Sequence, residues 1–168
     1  RLEELGKNQG KNTRNLEQIL ELTKRYYVTE KASQISKELD ELAKKQETLS
    51  ALKLGQDFSD KEQQKLNEDF NDLEKQIREL EKDNEQLHKP LDLDTDKNKT
   101  DAVKEDQKDA LEEINKHQGM EQSSQSDDKR KAENNAAKKQ KSAAQKMREM
   151  SQSMKSGSMG GGESDAED

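Results

Sequence analysis

The chain has 168 residues, of which 26% are hydrophobic, 2% aromatic and 41% charged, and its net charge is −7. An ordinary globular domain is nearly half apolar, so this composition excludes a thick central core and leaves thin seams between helices, or disorder. The absence of cysteine excludes a disulfide framework and thiolate metal sites, and no run of about 18 apolar residues is present to span a bilayer.

Residues 1–11 contain Gly6 and Gly10 and read as a lead-in. Asn12 or Thr13 can cap a first long helix, and neither Gly nor Pro follows until after Leu52. Its apolar residues Val28, Ala32, Ile35, Leu39, Leu42 and Leu49 are spaced 4-3-4-3-7, a heptad seam with the polar Gln46 at the missing step. An earlier stripe, Leu16, Ile19, Leu20, Thr23 and Tyr27, does not run into this seam. Continued in its own register it lands near residues 30 and 34, so the apolar face slips at Tyr26 and Tyr27, the only two tyrosines. The pair is expected to pack where the face changes direction, each hydroxyl reaching water. Both rings are also candidates for contact with a partner.

Gly55 breaks the first helix. Ser59 and Glu62 form a capping-box pattern that opens a second one, from about Asp60 to Leu87. Its seam, Leu66, Phe70, Leu73, Ile77, Leu80, Asn84 and Leu87, is spaced 4-3-4-3-4-3, and Pro90 ends it. The two seams mirror each other about residue 56, pairing Leu42 with Phe70, Leu39 with Leu73, Ile35 with Ile77 and Ala32 with Leu80. Gln46 falls near Leu66 and Val28 near Asn84. An antiparallel coiled-coil hairpin over residues 12–90 is therefore expected.

Residues 91–99 form an acidic linker. A weaker helical pair follows over 100–155, interrupted by a polar loop near 118–128. The third helix has Val103, Ala110, Leu111 and Ile114 on its apolar side, with Gln107 interrupting the stripe. The fourth carries Ala132, Ala136, Ala143, Met147, Met150 and Met154 on one stripe, whose alanines allow close approach to a neighbour. Residues 156–168 read as a flexible Gly/acidic tail. The fold class is thus all-α and elongated: a hairpin, two weaker helices and a tail.

Charge is unevenly spread. Residues 129–155 hold nine basic and two acidic residues, a window of +7 in a chain of −7, so the remainder carries −14. Docking of this basic helix on acidic helices of the same chain is the simplest consequence. Lys138 and Lys139, with Met147, Met150 and Met154 as an adaptable apolar stripe, are the partner-binding candidates of this helix. Nucleic-acid binding is the alternative, but the window lacks any aromatic residue for stacking on bases.

No catalytic, cofactor-binding or metal-binding residue is assigned. Asp92, Asp94, Asp96 and Asn98 alternate as in a calcium loop, but Lys97 stands where the turn needs Gly and Val103 where a bidentate Glu is needed. His88 and His117 are the only histidines and lie near helix ends; no phosphate-binding loop or nucleophile elbow occurs.

Three stretches, LEQILELTKRYYVTEKASQISKELDELAKKQETLS, KLNEDFNDLEKQIRELEKDNEQLHKP and ENNAAKKQKSAAQKMREMSQSM, resemble the helical soluble region of a large uncharacterised membrane-anchored envelope protein family of Bacteroidetes. The resemblance spans about residues 12–160. It implies an extracytoplasmic segment of a longer chain, with membrane contact only through parts outside this one and protein partners at the cell envelope. With the seams it leads to a non-enzymatic spacer or docking rod, self-association through a seam being one possible assembly.

Overall fold

The computed structural model describes residues 2–52, 59–120 and 126–160. Four helices occupy nearly all of them: α1 (Leu2–Ala51), α2 (Ser59–Glu85), α3 (Lys97–Gly119) and α4 (Ser126–Gly160). The backbone of each approaches two others in the cyclic order α1, α2, α3, α4 and back to α1, and only side chains reach across the diagonals. Neighbours run antiparallel. Between α1 and α2, Gln46 meets Gln63 while Glu21 meets His88. Between α2 and α3, Arg78 meets Thr100 while Asn67 reaches the Gln107 carbonyl. Between α3 and α4, His117 meets Glu133 and Asp106 meets Lys146. Ser36 pairs with Ser151 where α4 returns along α1.

The core is the thin seam that composition allows. Val28, Ile35 and Leu39 of α1, Phe70, Leu73, Ile77 and Leu80 of α2, Val103 and Ile114 of α3, and Met147 and Met154 of α4 are all nearly inaccessible to solvent. The expected α3 stripe is buried except Leu111, which is half-buried. Small residues line the facing sides of α1 and α4: Ala32, Ser36 and Ala43 on one, Ala136, Ala143, Ala144 and Ser151 on the other. With no bulky side chain between them, the two backbones approach closely, and Ser151 Oγ donates to the Ser36 carbonyl at 2.8 Å.

Several sequence expectations change. α1 covers Leu2–Ala51, so residues 2–11 of the expected lead-in are helical. Gly6 and Gly10 each cost a helix about 1 kcal/mol, but the Leu, Glu, Lys and Gln around them favour helix. The α1–α2 pairing sits three residues from the expected register: Gln46 bonds Gln63, not the neighbourhood of Leu66. α3 and α4 are full partners of the first two helices, and α4 packs against α1 even more extensively than α2 does. Residues 97–99 belong to α3, whose N-terminus is capped by Asp96 accepting from the Asn98 amide. α4 continues through Gly160, so the first residues of the expected tail are helical. Gly55, the Ser59 side chain of the capping box, the loop centre at 121–125 and residues 161–168 fall outside the described residues.

Candidate functional site

Four features of the chain have the polarity or exposure from which a site could be built. The first is internal. Gln46, Gln63, Gln107 and Gln140, one from each helix, are all buried at one level of the core. Gln46 and Gln63 exchange two amide bonds, at 2.7 and 2.9 Å. Gln140 Nε2 donates to Gln63 Oε1 at 3.0 Å, and Gln107 Nε2 lies 3.5 Å from Gln46 Oε1. These last two bonds cross the diagonals that the backbones do not bridge. Gln63 also donates to Asn67 Oδ1 at 2.8 Å. The groups satisfy one another, so the layer is a closed network that leaves no group aimed at a ligand.

The second feature is the basic face of α4, which is largely consumed within the chain. Lys146 Nζ stands 2.7 Å from Asp106 Oδ2, and Ser142 Oγ donates to the same oxygen at 2.6 Å. Lys139 reaches Asp109 at 3.3 Å and Asp106 at 3.9 Å. Arg148 pairs with Glu47, and Lys155 with Asp40 at 2.9 Å. Burial pushes the Asp40 carboxyl up, but hydrogen bonds from Lys155 and Ser151 and the charges of Lys155 and Lys44 outweigh it, so it titrates below its usual value. Lys138 is exposed. Met147, Met150 and Met154, expected to face a partner groove, are core residues at 0%, 2% and 0% exposure. They belong to the same hydrophobic cluster as the seams of α1 and α2.

The third feature is a shallow cleft of about 1650 Å³, where residues 89–97 cross the end of α4. Several of its charges are engaged within the chain. Arg78 donates to Glu81, to the Thr95 carbonyl at 2.7 Å and to Thr100 Oγ1 at 3.0 Å. Lys99 is paired with Asp94, a hydrogen bond that raises the lysine's pKa against the opposing effect of burial. The alternating acids do not converge: Asp96 caps α3, Asp94 holds Lys99, and the Asp92 carbonyl lies against Gly157. Among the described residues, no group of three or more His, Asp or Glu is arranged to hold a metal.

The fourth feature is the arm, the part of α1 before its first buried residue, Val28. Residues Leu2 to Tyr27 extend about 39 Å at 1.5 Å per residue, and none is buried. Leu16, Ile19, Leu20 and Leu22 are more than half exposed, and Tyr26 and Tyr27 are at 69% and 56%. The expected packing of the tyrosines within the chain therefore does not occur. At 100° per residue, the arm's apolar stripe lies about 140° around the helix from the face that Val28, Ala32, Ile35 and Leu39 bury. The register slip at the tyrosines is a change of side: the helix presents one face to its own bundle and nearly the opposite face to solvent. Chemistry separates the faces as well. All nine charged residues between Leu2 and Tyr27 occupy three of the seven heptad positions, and the other four positions carry none. A helix with an uncharged face this wide is suited to burial against other helices.

Of the expected site residues, the structure leaves Tyr26 and Tyr27 exposed on the arm, places Lys138 and Lys139 on the bundle surface far along α4, and removes the methionines to the core. It assembles no single site from them. Sequence reading passed over Leu2 and Leu5, which continue the arm's stripe, because the two glycines masked its helical period. No helix among the described residues is long and apolar enough to cross a membrane. In comparisons with known proteins, no family model, no curated protein and no solved structure matches this chain.

Proposed function

We propose that the chain is a non-enzymatic helical interaction module of a larger envelope protein, in which the four-helix bundle is a rigid mount and residues 2–27 form the docking rod. The observation that carries this reading is the arm's exposed, uncharged face, turned away from the bundle that anchors it. The buried glutamine layer is closed on itself, as a structural mount requires. The envelope location and a membrane anchor elsewhere in a longer chain rest on the resemblance of the helical stretches.

The test is a comparison of tagged chains in an envelope extract. A variant carrying Ile19→Glu and Tyr26→Glu should keep the bundle's thermal transition and lose the retained partner, whether that is another protein or an untagged copy of this chain. Equal retention by both chains would refute a docking role for the arm. Nucleic-acid binding through residues 129–155 has less support, because Lys139, Lys146, Arg148 and Lys155 already face carboxylates. Salt-dependent binding of the chain to DNA or RNA would favour it.

A further inference from the structure

We propose that the buried glutamine layer selects the register in which α1 meets α2, and with it how far the arm stands out from the bundle. The inference does not depend on what the arm binds. Apolar residues recur every three or four positions along both seams, so a slide of one such step brings apolar side chains opposite apolar side chains again. Hydrophobic burial alone therefore separates neighbouring registers weakly. The glutamines separate them strongly. In the observed register Gln46 and Gln63 exchange two amide bonds. In the register that the seams alone suggest, three residues away, Gln46 would face Leu66 and Gln63 would face Leu49, both leucines being buried. Each amide would then lie against an aliphatic side chain, and a buried amide stripped of its partner loses more than a made hydrogen bond gains.

Two further observations point to this layer. Every bond among the glutamines joins the pair α1 and α4 to the pair α2 and α3: Gln46 with Gln63 twice, Gln140 with Gln63, and Gln107 with Gln46. A slide of one pair past the other breaks all of them at once. Between Val28 and Ala51, moreover, the described residues show no ion pair from α1 to α2, whereas each of the other three interfaces has at least one. The competing determinant lies between α3 and α4, where Asp106 accepts from Ser142 and pairs with Lys146, and His117 meets Glu133. A register step of three residues moves α1 by about 4.5 Å along α2. Because α1 runs without a break from the bundle into the arm, the same step would carry the arm with it. A buried polar layer of this kind fixes one register at some cost in stability.

The full chain has no native cysteine. Spin labels at Gln34→Cys on α1 and Lys61→Cys on α2, both exposed positions, therefore report the register by pulsed dipolar distance measurement. The parent should give one distance. With all four glutamines changed to leucine, the chain should stay helical and add a second population about 4 Å longer. Moving the partner is the sharper variant: Gln63→Leu with Leu66→Gln puts an amide where Gln46 meets it only in the other register. Its main distance should lengthen by about 4 Å. Asp106→Ala removes the competing contacts, leaves the glutamines intact and should keep the parent's distance. A folded quadruple variant that holds the parent's single distance overturns the proposal, as does a moved partner that leaves the distance unchanged. A shift produced by Asp106→Ala would assign the register to α3 and α4 and overturn it as well.

Discussion

Replacing Gln63 by Leu tests whether the buried glutamine layer is the closed network its geometry describes. The two side chains are similar in size, so the change creates little cavity; what it removes is polarity. Gln46 Nε2 and Gln140 Nε2 both donate to Gln63 Oε1, at 2.7 and 3.0 Å, and both lose that acceptor in a layer at 0–2% exposure. Asn67 loses a donor as well, but it is half-buried and water can replace it. An orphaned buried polar group costs about 1–3 kcal/mol. Two of them, less the gain from burying a larger apolar side chain, give a net loss of about 2–4 kcal/mol. Urea unfolding followed by circular dichroism at constant m-value measures this directly. The companion variant changes all four glutamines to leucine. If orphaned polarity is the cause, the quadruple variant recovers most of the loss, since converting every partner leaves nothing unsatisfied. A single variant within about 0.5 kcal/mol of the parent, or a quadruple variant no better than the single, would refute the reasoning.

Other outcomes follow from particular contacts. Lys146→Met leaves the Asp106 side chain, only 7% exposed, without its nearest cation and should cost about 2–3 kcal/mol, whereas Lys138→Met, at an exposed position, should stay within about 0.5 kcal/mol; paired urea titrations compare them. Gly157→Ala should destabilise the chain by about 1–3 kcal/mol in thermal unfolding, because a Cβ there would overlap the Asp92 carbonyl oxygen and come within 2.9 Å of its carbon, both backbone atoms. The same change at Gly10, with nothing within 4 Å, should be tolerated. Asp40 titrates below its usual 3.8, so its pairing contributes stability that is present above that pH and is lost as pH falls through the lower folded-state value. The stability difference between the parent and Asp40→Asn should accordingly shrink between pH 5 and pH 2, by urea midpoint; an unchanged difference would show that the carboxylate's charge plays no part.

The sequence by itself determined the class of structure and the apolar seam of α2. Leu66, Phe70, Leu73, Ile77 and Leu80 recur at a helical period that no strand can bury on one side, and all five are buried. The alanines of α4 announced a close helix–helix approach, and its excess of lysine and arginine announced docking on acidic neighbours, because both signals lie in local composition. Tertiary structure decided what depends on which surfaces meet. The α1–α2 register differs by three residues from the one the two seams alone suggest, and α1 also packs on α4 and α2 on α3. Gln46, Gln107 and Asn84, which read as interruptions, are buried and bonded: Asn84 exchanges bonds with the Leu91 backbone, both at 2.8 Å, and the glutamines close a layer that no single helix reveals. The methionines illustrate the same limit, since an apolar stripe on one helix does not say whether its own chain or another covers it. The tyrosine slip was visible as a break in period. Its meaning, that α1 turns one face inward and then the opposite face outward, required knowing that burial in α1 starts at Val28 and that the apolar stripe before it is left exposed.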